Sequence, residues 1–218
     1  MCFSAGASFA GGVIISAIGV ATVLKVHRPS QIVFASIPLF FGFQQFVEGC
    51  VWLILQHPEY VSYQSAATHL YLVMAEVFWP MMIPLAVLWM ETDKKKRKFL
   101  WILLIMGVSL SLYYVWRLFS FQVTPEIAGY HIEYKSSSPE SLRLFTFAIY
   151  LIASITPLFV SSIKRTHLLG ILMSLSCLVT IVFFTQYLTS VWCFFAALIS
   201  VVIYWILRNA KKKYRLYK

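Results

Sequence analysis

The sequence predicts an all-α integral membrane protein: a seven-transmembrane-helix bundle, N-terminus outside and C-terminus cytoplasmic. Three observations carry this. Of 218 residues, 60% are hydrophobic and 12% charged, about half the ~25% charge of an ordinary soluble domain; mean hydropathy is +0.78. Seven apolar stretches each approach the ~20 residues that a membrane crossing needs. The cations are patterned. Lys25/Arg28, Lys94–Lys98, Lys164/Arg165 and Arg208–Lys218 contain every Lys and Arg except Arg117, Lys135 and Arg143. These patches occupy alternate loops, which is the positive-inside pattern of an inner (plasma) membrane protein.

The spans are expected at 8–24, 32–55, 67–90, 99–118, 144–163, 168–187 and 191–207. The first is short and can extend back to Phe3; Gly11 and Gly12 suit close helix approach, as do Gly42 and Gly49 in the second. The second also carries Pro38. The third holds Pro80 and Pro84 one turn apart, so a kink is expected where each removes a backbone donor. The fourth begins after the Lys94–Lys98 patch and ends at Arg117. The fifth contains Pro157. Only Leu188–Ser190 separates the sixth from the seventh, which predicts a tight antiparallel hairpin. Residues 1–210 form the membrane domain, and 211–218 a basic cytoplasmic tail. The longest outer loop, Phe119–Arg143, reads either as a functional segment or as a flexible connection.

The net charge of +10 points to topology and to anionic lipid headgroups rather than to nucleic acid, because no basic-aromatic surface accompanies it. Cys2, Cys50, Cys177 and Cys193 form no CxxC pair, so structural zinc lacks support. The start lacks a basic segment and cleavage site, so the first helix is expected to stay in the membrane.

Polar residues inside spans are costly and therefore point to sites. Gln44 and Glu48 share a helix face at i, i+4, with Gln45 three residues before Glu48. His69 and Glu76 are seven apart on the third span. Arg117 follows Tyr113 and Tyr114 at the end of the fourth. Gln186 ends the sixth span, and Trp192 and Cys193 begin the seventh. All map to the outer half of the bundle, which predicts a polar pocket open to the extracytoplasmic side. The competing reading is helix–helix glue by buried hydrogen bonds. Arg117 is the strong cation near both carboxylates, and spacing does not choose between Glu48 and Glu76 as its partner. Cys2 is open to three readings: a nucleophile or metal ligand, a packed thiol, or a disulfide with Cys50 or Cys193.

The opening MCFSAGASFAGG, the segment Gln44–Trp52 (QQFVEGCVW), the segment Phe78–Val87 (FWPMMIPLAV) and the segment Ser190–Ala197 (SVWCFFAA) carry a resemblance. They resemble an uncharacterised bacterial multi-pass membrane-protein family, a domain of unknown function whose members begin Met-Cys-Phe-Ser-Ala. The resemblance implies no activity, and draws attention to Cys2, Gln45, Glu48, Trp79, Pro80 and Cys193. Other seven-span families fit badly. The last span has no lysine for retinal, the last three have no histidine, and no His-Glu-x-x-His occurs.

Three functions follow from this reading. The first is a pocket that binds, senses or moves a small solute or ion. The second is an extracytoplasmic enzyme using Cys2 with Glu48, His69 or His131. The third is a structural or assembly protein. The sequence specifies neither cofactor nor metal.

Overall fold

The computed structural model describes residues 4–215; Cys2 lies outside them. The described residues are mostly helical, with seven helices among them long and apolar enough to cross a membrane. They run Ala5–Val23, Pro29–Gln56, Pro58–Met90, Lys94–Ser120, Arg143–Val160, Arg165–Phe183 and Thr185–Arg208, and are numbered here as spans one to seven. This is a multi-pass membrane protein. Its basic loops share one end of the bundle, called here the basic end. Spans two, three and seven are the most buried. Spans one, four, five and six turn apolar stripes outward, with Ile102, Ile105 and Leu112 exposed on span four and Leu175, Leu178 and Val182 on span six.

Span one starts at an N-cap, where the Ser4 hydroxyl accepts from the Ala7 amide at 3.2 Å. It packs closely along span two because both carry small residues. A Cβ on Gly42 would stand 2.2 Å from the rotatable Ser16 Oγ and 3.0 Å from the Ser16 backbone nitrogen, so glycine eases this close approach. Span four starts at Asp93, whose side chain accepts from the amides of Lys95 and Lys96.

Span three contains the main irregularity. Its α-helix Gln64–Leu72 passes into a π-helical turn, Val73–Phe78, before resuming as Trp79–Met90. Pro80 explains the disruption. It has no N–H to offer and its ring pushes the preceding turn open. Freed carbonyls are recaptured from neighbouring spans: Tyr150 donates its hydroxyl to the Ala75 carbonyl at 2.8 Å, and Ser111 donates to Val77 at 2.6 Å. Pro84 removes the amide that would face the Pro80 carbonyl, and that carbonyl lies against Gly107 of span four. The expected kink is thus realised as a π turn braced by spans four and five.

Two details depart from the all-helical expectation. The long loop contains an antiparallel hairpin, β1 Val123–Ala128 and β2 His131–Ser136, with Ala128 opposite His131. Gly129, at φ 63°, supplies the left-handed residue of the two-residue turn. β2 alternates His-Ile-Glu-Tyr-Lys, which sets Ile132 and Tyr134 on one face. Ile132 is fully buried, and the Tyr134 ring stacks on Tyr71 at 5.0 Å, so the hairpin caps the bundle instead of forming a flexible connection. The last span also breaks at Ser200, between helices Leu188–Ile199 and Val201–Arg215, and its backbone stays helical into the segment expected to be a tail.

At the basic end, Glu91 is 3% exposed and clasps two loops. Its carboxylate accepts from the Thr92 and Asp93 amides, each at 2.9 Å, and from the Ser162 amide at 2.6 Å. Burial alone would raise this carboxyl, but the amides of Asp93, Ser162 and Thr92 hold it below its ordinary value of 4.5. A depressed acid stabilises the fold above its unfolded value and loses that contribution as pH falls through the folded value. The clasp therefore holds at neutral pH and releases only below about pH 4.5. Glu91→Ala is expected to cost about 2–3 kcal/mol, read as a lower Tm in detergent, and to flatten the acid limb of the stability profile.

Candidate functional site

The sequence-predicted residues separate into two adjoining groups at the hairpin end. The first centres on Glu48, which is fully buried with Gln44 and Gln45 on span two. Ser190, at the start of the last long helix, donates a short hydrogen bond to Glu48 Oε1. Gln45 Nε2 donates to Glu48 Oε2 at 3.4 Å, and the Tyr71 hydroxyl also reaches this carboxyl. The indole of Trp79 donates to Gln44 Oε1 at 2.8 Å. Phe41 stacks on Trp79 at 3.8 Å and fixes the indole. Cys193 lies within interaction range of Gln44 and Tyr71. Span two supplies three polar residues here because 44, 45 and 48 share one face, and that face turns to the bundle centre.

The second group surrounds Glu76, which the π turn presents to span four. Arg117 donates through a terminal nitrogen to Glu76 Oε2 at 2.6 Å, with the two side chains 15% and 18% exposed. The geometry selects Glu76 over Glu48 as the partner of Arg117. The guanidinium also lies 4.8 Å from the centre of the Tyr114 ring. Its Nε is buried without a hydrogen-bond partner.

Glu76, Tyr114 and Arg117 line a cavity of about 760 Å³. Its walls include Glu133 and Lys135 of the hairpin, Arg143 and Thr146 of span five, and the Thr185–Ser190 turn. Ser190 belongs to both groups: it lines the cavity and bonds Glu48. Toward the basic end the bundle holds a void of about 40 Å³, lined mainly by apolar side chains such as Ile37, Phe41 and Leu158.

The remaining candidates fall as follows. Gln186 is on the cavity wall. Trp192 and Cys193 line the small void. Tyr113 packs against Tyr114 and Trp116, away from the cavity lining. The ring nitrogens of His69 face the carbonyls of Ser65 and Leu118, at 2.7 and 3.2 Å, so it ties span three to the end of span four. His131 packs beside Phe184 and Tyr187, where burial lowers its pKa. Cys50, Cys177 and Cys193 carry free thiols. Among the described residues, no group of three or more His, Cys, Asp or Glu could hold a metal ion.

Sequence reasoning missed Ser190, Tyr71 and Tyr114 as site residues. Tyr114 was accessible: it precedes Arg117 by three positions and Tyr113 by four, so spacing puts both on the face of Arg117, and only the packing sets Tyr114 beside the guanidinium. Ser190 and Tyr71 carry no local signal, because each acquires its role only when distant spans meet.

A family described as "Family of unknown function (DUF6629)" matches residues 1–216. The chain belongs to this family. Neither a curated protein nor a solved structure matches it. The match covers all seven spans and the hairpin, so both polar groups lie on elements of the family domain.

Proposed function

We propose that the chain binds a small polar solute carrying an acidic group, in the 760 Å³ cavity and from the extracytoplasmic side. One observation carries this reading. Arg117 is anchored by Glu76 at the cavity wall, yet keeps a buried nitrogen without a partner. A buried donor left unsatisfied is costly, and an incoming oxygen acceptor removes that cost. Arg143 and Lys135 add positive charge to the lining, while Glu76 and Glu133 balance part of it. The basic loops then face the cytoplasm of an inner membrane and its anionic lipids.

Binding is favoured over passage because the void described toward the basic end is small and largely apolar. The enzyme alternative built on Cys2, Glu48 and His69 is weakened because His69 is engaged by the carbonyls of Ser65 and Leu118.

The test uses purified protein in detergent and a panel of small carboxylates, amino acids and phosphate monoesters. At least one is expected to raise Tm saturably in the wild type and to have no effect on Arg117→Ala. If no member of the panel shifts the wild type, or if Arg117→Ala responds equally, the solute-binding reading fails and an assembly role takes its place.

A further inference from the structure

We infer that the acidic group received in the Arg117 cavity is the headgroup of an acyl-chain lipid, which enters sideways from the bilayer between spans five and six. This rests on the reading that Arg117 binds an acid in the cavity, and adds what carries that acid. The cavity is amphipathic. Its cations and carboxylates share the walls with Leu144, Phe147, Ile181 and Leu188. A freely dissolved acid leaves such walls wet, whereas a lipid covers them with apolar surface. Two of these residues also face outward: Leu144 is 80% exposed and Ile181 38%, although both line the cavity. One stands on span five and the other on span six, each within a turn of the end of its span. The cavity therefore reaches the flank of the bundle near the depth of lipid headgroups. Arg143, also in the lining, is exposed beside Leu144. It sets a second guanidinium at this mouth, suited to the oxygens of a phosphate or carboxylate headgroup.

The seam between spans five and six supplies the second, independent indication. At the basic end it is closed: Thr166 donates to the Leu158 carbonyl at 2.9 Å, and the Phe159 ring lies against Gly170. Farther along, the 40 Å³ void has Tyr150 and Ser154 of span five and Met173 of span six in its walls. At the hairpin end, Thr146 and Phe147 of span five and Ile181 and Thr185 of span six all line the large cavity. The seam thus loosens progressively toward the mouth. Leu178, one turn inside Ile181, is exposed and continues the apolar surface along which a chain would lie.

The experiment titrates three probes against the full chain in a neutral detergent, reading Tm: lysophosphatidylglycerol, its deacylated headgroup, and lysophosphatidylcholine of the same chain length. Lysophosphatidylglycerol is expected to raise Tm saturably, at a concentration roughly tenfold or more below that required of the headgroup alone. Lysophosphatidylcholine, which partitions into detergent equally well, should have no effect. Ile181→Trp and Leu144→Trp, which fill the mouth, should bring the lipid and headgroup curves together, and Arg117→Ala should abolish both. Native mass spectrometry of the wild type needs no variant to fold, and should show lysophosphatidylglycerol retained where lysophosphatidylcholine is stripped. Equal potency of lipid and headgroup would overturn the inference and leave the solute reading standing. A choline lipid that acts as strongly, a chain advantage that survives in both mouth variants, or a wild type that retains neither lipid would overturn it as well. A wild type that responds to no acid, with or without a chain, would sink the solute reading too.

Discussion

Gly107→Ala is expected to prevent the bundle from assembling. A Cβ at this position would stand 1.9 Å from the Pro80 carbonyl oxygen and 2.8 Å from its carbon. The obstacle is backbone, so no side-chain rotation relieves it. Span four must move away, or the π turn must reform. Overpacking a tight interface typically costs about 1–3 kcal/mol, and a backbone clash belongs at or beyond the upper end. Moving span four would also pull Ser111 from the Val77 carbonyl and Arg117 from Glu76. The expected result is loss of the monodisperse peak in detergent, or a fall in Tm of many degrees. Gly6→Ala is the control: nothing lies within 4 Å of its added Cβ, and it should behave as wild type.

Arg117→Ala is expected to have the second largest effect, and to strike stability and binding together. Removing one member of a buried pair leaves its partner's charge uncompensated, at a cost of about 3–5 kcal/mol. Glu76 retains 18% side-chain exposure, which places the loss near the lower end of that range. The double substitution Arg117→Met with Glu76→Leu replaces the pair by apolar side chains of similar reach. It should recover most of the stability, since hydrophobic replacements of buried pairs are often neutral. It should not recover solute binding. Thermal unfolding of the wild type, Arg117→Ala and the double variant, with the solute titration run on each, separates the two roles of the pair.

The arrangement of spans was legible because the membrane imposes a strong local code: length, apolarity and the side on which Lys and Arg fall. Span one shows the precision of that code, expected from residue 8 and beginning at Ala5 once Ser4 caps it. Gln44, Gln45 and Glu48 were also readable, since a helix face is a local property. The π turn was not. Pro80 announces a fault in the helix, but whether it becomes a kink or a π turn depends on Ser111 and Tyr150, 34 and 75 residues from the carbonyls they bond. The hairpin was not legible although β2 alternates, His-Ile-Glu-Tyr-Lys, because it is a short segment inside a loop that the membrane pattern leaves unassigned. Its two anchors, Ile132 and Tyr134, gain meaning only against Tyr71 and Leu118. The division of one expected pocket into a buried cluster and an open cavity likewise arises from tertiary placement. Spacing put Glu48 and Glu76 in the same half of the bundle but held no information about which would meet Arg117.

Seven spans place a charged cavity at the end of the bundle opposite the basic loops. The most direct test is thiol labelling in intact cells on a background with Cys2, Cys50, Cys177 and Cys193 all changed to serine, with single cysteines at Gln186 on the cavity wall and at Asn209 after the last span. A membrane-impermeant maleimide is expected to label Gln186→Cys in intact cells and Asn209→Cys only after permeabilisation. Labelling of both positions from the same side would contradict the crossing number, and the site built on it would fall.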